Sequence, residues 1–419
     1  MNTCFSAADI LLPDFKKIKG EAWACVACDQ FTSEPEYWQK AEQIVGDNPS
    51  TLRMILPEAY LSQTEEKVPI INRTMREYLD GVLCEHKDCM IYLERVQSDG
   101  KIRRGLIGKI DLEAYDYRKG ATSPVRATEG TVAERIPPRV AIRRDAAVEL
   151  PHVMVLIDDV QKTVIEPLTA CKDSLRAAYD FDLMLGGGHV SAWFVEGEQI
   201  ARVDKALAAL SAPELVCERY GVDVPALVFA VGDGNHSLAS AKAAYEEVKA
   251  NIGSEAAKTH PARYALVELV NLHDEALEFE PIYRVMFGVS PTEVIKELDA
   301  YLSSLDGRAE AQKITCVGAF EDKELIAAHP ISQLTVGTLG DFIDSYLGAH
   351  AEASVDYIHG IDSTRKLSAR EDAIGFLFEG MQKNQLFKAV ICDGALPRKT
   401  FSMGHAEDKR YYLEGRKIK

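Results

Sequence analysis

The residues best suited to chemistry lie at one junction, Leu227-Val228-Phe229-Ala230-Val231-Gly232-Asp233-Gly234-Asn235-His236-Ser237. A run that is apolar on both faces reads as a central strand and passes through a glycine-rich turn. A stripe of Leu238, Ala241, Ala244, Tyr245 and Val248 at helical spacing follows. A strand, a turn and a helix start aim free backbone N–H groups and the positive end of the helix dipole at one spot, which favours phosphate. Gly232 and Gly234 permit close backbone approach, and Asn235 belongs to the same turn. Ser237 can cap or donate, and His236 can bond a phosphate oxygen or shuttle a proton. Asp233 has the wrong sign for direct phosphate contact. Its carboxylate there suits a metal ion, a ribose hydroxyl or a general base. The plainer reading is that Asp233 and Asn235 form a turn and Ser237 caps the helix.

A second cluster is Arg126-Ala127-Thr128-Glu129-Gly130-Thr131, followed by Glu134, Arg135, Arg139, Arg143 and Arg144. Guanidinium forks pair with phosphate or carboxylate, so the segment could hold an anionic substrate, with Glu129 as general base or metal ligand. The competing reading is a solvated helix face whose arginines pair with Glu134, Asp145 and Glu149. A third cluster closes the chain, from Arg398, Lys399, Thr400 and Ser402 through His405 to Lys409 and Arg410. It is a candidate anion site or a solvated tail.

The elements that must position these groups alternate. Residues 35–48 and 64–83 read as helices, and 90–96 with 103–112 as a hairpin turning at Ser98-Asp99-Gly100. A helix is expected over 133–147, opened after Pro137 and Pro138, and a short buried strand over 152–157. Residues 175–183 read as a helix stopped by Gly186-Gly187-Gly188, then 189–195 as a strand and 200–210 as a helix. Beyond the glycine turn, 293–305 and 368–383 read as helices, and 313–319, 325–328 and 387–392 as strands. The fold class is α/β or α+β with mixed sheets. Three segments are expected, 1–100, 101–290 and 291–419.

The chain of 419 residues carries 48 Lys and Arg against 65 Asp and Glu, a net charge of −17 that repels nucleic acid and anionic membrane. No stretch has the uninterrupted apolar length of a membrane helix, and the N-terminus lacks a secretory pattern, so a cytoplasmic protein is expected. Nine cysteines do not form an even disulfide framework. Cys25 and Cys28, and Cys84 and Cys89 around His86, have knuckle-like spacing without knuckle turns, so buried thiols are the expected state. Single histidines such as His152, His189 and His359 read as structural.

On Asp233-Gly234-Asn235-His236-Ser237, the 126–143 arginine segment and the 399–412 tail, the sequence resembles the bacterial family of unknown function numbered ten-fifteen. The Asp-Gly-Asn-His element is also similar to the phosphate-binding turn of the ParB/sulfiredoxin-like fold, which includes partition proteins, sulfiredoxins and free-serine kinases. Ser237 stands where those proteins usually carry arginine. The resemblance implies a ParB-like core with further α/β elaborations, ATP or ADP with Mg²⁺ as ligands, and phosphoryl transfer on serine or phosphoserine. It implies Glu129 as the base, with Asp233 and His236 also catalytic and Asp233 the metal residue. Gly232, Gly234, Asn235, Ser237, Arg126, Thr128, Arg139 and Arg143 would bind phosphate or nucleotide, and Lys399, Ser402, His405, Lys409 and Arg410 an anion. The alternative is a nucleotide-binding regulatory switch without metabolite turnover. A sulfiredoxin-like reductase is set aside, because no cysteine lies in the turn. The expected partners are nucleotide and a small-molecule substrate, with no nucleic acid or membrane, and a homodimer is an open option.

Overall fold

The computed structural model describes residues 4–130, 136–222, 224–404 and 406–419. The chain divides into two compact units, Met1–Leu277 with Gly404–Lys419, and Glu278–Met403.

In the first unit, the described residues form a mixed sheet of eleven strands. These are β1 (Phe5–Ser6), β2 (Ala8–Pro13), β3 (Leu83–Val96), β4 (Ile102–Asp111), β5 (Tyr115–Asp116), β6 (Val125–Ala127), β7 (Met154–Ile157), β8 (Arg176–Asp182), β9 (His189–Val195), β10 (Phe229–Asp233) and β11 (Tyr264–Asn271). Their spatial order is β8-β9-β3-β4-β11-β7-β10-β6-β5, with β1 paired to β4 and β2 to β3. Successive side chains of a strand face opposite ways, and β3 shows the consequence. Ile91 and Leu93 join one apolar cluster with Trp23, Trp38 and Met75. Met90 and Tyr92 join another with Phe229, Leu238 and Tyr245. The sheet is thus buried on both faces. Helices α1 (Pro35–Val45) and α2 (Thr64–Gly81) serve the first cluster; α4 (Glu198–Leu210) and α5 (Asn235–Ile252) serve the second. Helix α3 (Ile136–Arg144) is the described part of the helix expected over 133–147.

Three expected segments meet a different division. A boundary at residue 100 would cut the β3–β4 hairpin, which pairs antiparallel from Ile91↔Ile107 to Val96↔Ile102. The C-terminal residues rejoin the first unit, Tyr411–Tyr412 pairing with Cys25–Val26 and Arg416–Lys417 with Val148–Glu149. Residues 175–183 form the strand β8 instead of a helix. Their Arg, Ala and Asp content suits a helix locally, but pairing along β9 from Arg176↔Phe194 to Asp182↔His189 decides the outcome.

The second unit holds six strands among its described residues: β12 (Phe279–Phe287), β13 (Gln312–Val317), β14 (Lys323–Ala327), β15 (Ser354–His359), β16 (Ala373–Phe378) and β17 (Phe401–Met403). They lie in the order β14-β13-β16-β12-β15, with β17 on β12. Its helices include α6 (Pro291–Ser304), α7 (Thr335–Ala349), α8 (Ile361–Ser368) and α9 (Lys383–Asp393). Here the expected helix over 368–383 and strand over 387–392 are reversed. Ala373–Phe378 is flanked by β12 and β13, so its apolar run is that of a strand buried on both faces. Gln382 and Gln385 form a reciprocal capping box that starts α9. No described helix is long and apolar enough to cross a membrane.

Candidate functional site

The register of two short parallel strands sets the site. β6 runs parallel to β10 with Phe229↔Val125 and Val231↔Ala127 as partners. Two residues beyond the last pair on each strand stand Glu129 and Asp233, so parallel pairing brings both carboxylates to one end of the sheet. β7 is antiparallel to β10, with Asp233 opposite Met154, and so delivers its preceding residue pair, His152 and Val153, to that same end.

The turn is stitched to β6 by polar groups. The Thr128 hydroxyl donates to the Val231 carbonyl at 2.6 Å, and the Thr128 N–H donates to Asn235 Oδ1 at 3.2 Å. Asn235 Nδ2 points back at Thr128 Oγ1 and the Val231 carbonyl, each at 3.4 Å. Thr128 and Asn235 are therefore positioning residues, both buried. Gly234 takes φ +77° as the N-cap of α5, where no side chain caps the helix. A Cβ at Gly234 would lie 3.1 Å from the Val153 Cα. Gly234→Ala combines a left-handed backbone with that crowding, and is expected to destabilise the unit by about 1–2 kcal/mol in urea unfolding, with a still larger loss of any ligand bound at the turn. At Gly232 a Cβ would meet the Leu156 side chain at 2.8 Å.

Lys409 completes the cluster. Its ammonium donates to Asp233 Oδ2 at 3.2 Å, while the Gly234 N–H donates to Asp233 Oδ1 at 2.9 Å. The backbone around Lys409 is fixed by two buried arginines. Arg95 donates to the Lys409 and Glu407 carbonyls at 2.8 and 2.7 Å, and Arg103 to the Asp408 carbonyl at 3.0 Å. Burial and then the charge of Asp233 push the Glu129 carboxyl above its ordinary value, against the opposing pull of Lys409. Asp29 behaves the other way. Burial opposes its ionisation, but His152, Gln30 and Lys409 outweigh it and hold the carboxyl below the ordinary range. Glu129 and Asp29 are therefore pushed in opposite directions within the field of one lysine.

His152 is a member of the site that its sequence context presents as a structural histidine. Its Nε2 lies 2.8 Å from Ser237 Oγ and its Nδ1 2.9 Å from the Tyr412 hydroxyl, while Asp29 Oδ2 is 4.0 Å from Nε2. Its partners lie 85 and 260 residues away, a separation no local pattern reports. Half-buried His236 follows on the first turn of α5, and its carbonyl accepts the Ser240 hydroxyl at 2.7 Å.

The arginines expected to clamp an anion are engaged by partners outside the carboxylate cluster. Arg126 is buried and donates to the Ser123 and Pro225 carbonyls at 2.7 and 2.9 Å. Arg139 pairs with Glu58, Arg143 with Glu149, and Arg144 with Glu247. Arg410 is buried between Glu268 and Glu414. Lys399 and Ser402 belong to the second unit, where the Lys399 ammonium lies over the Tyr357 ring at 4.9 Å. Thr131, Glu134, Arg135 and His405 fall outside the described residues. All nine cysteines are free. Burial pushes the Cys25, Cys28 and Cys89 thiols up to about 12, the state of thiols packed as small hydrophobes. Among the described residues, no group of three or more His, Cys, Asp or Glu gathers as a metal site.

Over residues 12–413 the sequence matches the family described as "Protein of unknown function (DUF1015)". The chain belongs to the DUF1015 family. No curated protein matches it by sequence. Solved structures similar to this DUF1015 protein include a conserved hypothetical protein from Pyrococcus furiosus, at 11% identity and TM-score 0.33, covering 74% of this chain and 94% of the other. A free serine kinase mutant in complex with AMP is similar at 10% identity and TM-score 0.37, covering 74% and 91%. A C-terminally truncated SbnI from Staphylococcus aureus is similar at 11% identity and TM-score 0.31, covering 69% and 78%.

Proposed function

We propose that this DUF1015 protein is a nucleotide-dependent phosphotransferase acting on a small hydroxylated metabolite, with serine or phosphoserine as the substrate to test first. The first unit would hold a ParB/sulfiredoxin-like phosphate-binding core. The observation that carries the proposal is that Glu129 and Asp233, each two residues past the last β6–β10 pair, act on each other electrostatically at the uncapped N-terminus of α5, with Lys409 bonded to Asp233. Phosphoryl transfer needs positioning and charge neutralisation more than covalent help from the protein. The α5 turn, Gly234 to Ser237, would receive phosphate oxygens, and Lys409 would offset their charge. Glu129, with its raised carboxyl, would accept the proton of the acceptor hydroxyl as its oxygen bonds to the transferred phosphorus and the nucleotide's terminal phosphoanhydride bond breaks. Two carboxylates beside phosphate oxygens also form the donor set that Mg²⁺ prefers, and Asp233 is the residue that would share it. Bound there, the ion would neutralise phosphate charge.

The test is nucleotide consumption with and without serine. A phosphotransferase consumes ATP only when its acceptor is present. Binding, or slow hydrolysis indifferent to serine, would favour the regulatory switch. The pH profile supplies an independent check. A base must be ionised, so kcat/KM is expected to rise with pH through the raised value of Glu129. Lys409→Ala removes the charge that favours ionised Glu129, and the rising limb should move to higher pH. A limb that stays in place would exclude Glu129 as the titrating group.

A further inference from the structure

We infer that a cavity behind the first turns of α5 is a binding site for a small, uncharged, largely apolar molecule whose single hydrogen-bond acceptor receives the Ser237 hydroxyl hydrogen. The cavity measures about 180 Å³ and lies within the first unit, walled by apolar side chains including Met54, Leu56, Met75, Ile142, Leu238 and Leu266. The space is partly open to solvent, and its volume compares with an apolar cavity of about 150 Å³ that accepts benzene. The volume alone therefore suits a ring or a branched chain of similar size.

The uncharged polar side chains of the wall include His152, Ser237, Tyr412 and Ser240, whose hydroxyl is spent on the His236 carbonyl at 2.7 Å. The Cys28 N–H donates to the Tyr412 oxygen at 3.2 Å. The phenol, kept protonated by burial, lies 2.9 Å from His152 Nδ1 and donates to it in the tautomer that leaves Nδ1 without a hydrogen. In that tautomer the ring hydrogen lies on Nε2 and is donated to Ser237 Oγ at 2.8 Å. This chain leaves the serine hydroxyl as a donor oriented at the cavity wall, and asks the ligand for an acceptor. The charged groups lining the space are matched, Arg139 by Glu58 and Arg143 by Glu149. Ionised Asp29, 4.0 Å from His152, disfavours a carboxylate at the polar end. An uncharged ligand fits these conditions.

The test uses the full chain with ¹³C-methyl methionine, which places reporters at Met54 and Met75, assigned through Met54→Leu and Met75→Leu. Cyclohexanone and benzene are the probes, the first with an acceptor and the second without a strong one. Both should shift these two signals saturably. Ser237→Ala should weaken cyclohexanone about fivefold and leave benzene unchanged, the size of one ordinary hydrogen bond. Ala241→Leu, which narrows the cavity from α5, should abolish both titrations while thermal unfolding remains cooperative. Absence of saturable shifts in the parent protein, or equal cyclohexanone affinity with and without the Ser237 hydroxyl, would overturn the inference. No nucleotide enters the experiment, so its outcome is separate from that of the phosphotransferase.

Discussion

Glu129→Gln should reduce phosphoryl transfer by about 10²–10⁴-fold in kcat while nucleotide affinity changes little, the range for loss of a general base. The substitution keeps size and shape and removes only the ability to take a proton. Its effect on folding should have the opposite sign. Burial and the neighbouring Asp233 raise the Glu129 carboxyl, so the folded state disfavours the ionised form. Above that raised value the charge costs stability, and the neutral amide should leave the melting temperature unchanged or higher. A group that weakens the fold and is needed for turnover is the pattern expected of a functional residue; one that only holds structure would lose both together. Parallel measurements of kcat and melting temperature decide between them.

Glu268→Ala should have the largest effect on stability, about 3–5 kcal/mol by chemical denaturation, the range for breaking a buried ion pair from one side. Glu268 is fully buried on β11 and pairs with Arg103 at 3.2 Å and with Arg410. Arg410 also holds Glu414 at 2.6 Å and the Pro151 carbonyl at 3.0 Å. Removing the carboxylate takes from buried Arg103 its carboxylate partner and leaves buried Arg410 with Glu414 alone to balance it. Gly105 on β4 leaves the room this side chain needs, because a Cβ there would lie 2.4 Å from Glu268 Oε1. Burial opposes ionisation of Glu268, yet Arg103 and Arg410 outweigh it and hold its carboxyl below the ordinary value. A depressed carboxyl contributes stability that is present above its unfolded value, about 4.3, and lost as pH falls through the folded one. The gap between parent and variant should therefore narrow below about pH 4. Because Arg103 bonds the Asp408 carbonyl and Arg410 directly follows Lys409 in the chain, activity should fall with stability in this variant, unlike in Glu129→Gln.

The strand–turn–helix junction was legible because its signal is local. The apolar run ending at Asp233, the glycines and the stripe from Leu238 specify β10, the turn and α5 within about thirty residues. Most helices and the β3–β4 hairpin follow from the same kind of evidence. Glu129 was legible only as a carboxylate in a suggestive segment, since its meeting with Asp233 depends on β6 and β10 pairing across a hundred residues of chain. The arginines read two ways for a physical reason. A guanidinium fork suits an internal carbonyl or glutamate as well as a phosphate, and Ser123, Pro225, Glu58 and Glu149 are the partners that took them. Arg410 and Lys409 are adjacent cations in the tail, but one is sealed between two glutamates and the other reaches Asp233. Sequence carries no mark that separates them. The same holds for β8 and β16, whose helix-compatible residues became strands because neighbouring strands offered pairing.

The most direct measurement is phosphorus NMR of the purified full chain with Mg²⁺, offering ATP with serine and then ADP with phosphoserine, beside Glu129→Gln and His236→Ala. New phosphate-transfer resonances are expected with one of these pairs, lost in both variants, with nucleotide line broadening retained in Glu129→Gln. Nucleotide broadening without transfer in the parent protein would contradict the phosphotransferase and favour a binding switch, and spectra unaffected by the protein would contradict nucleotide recognition at the α5 turn.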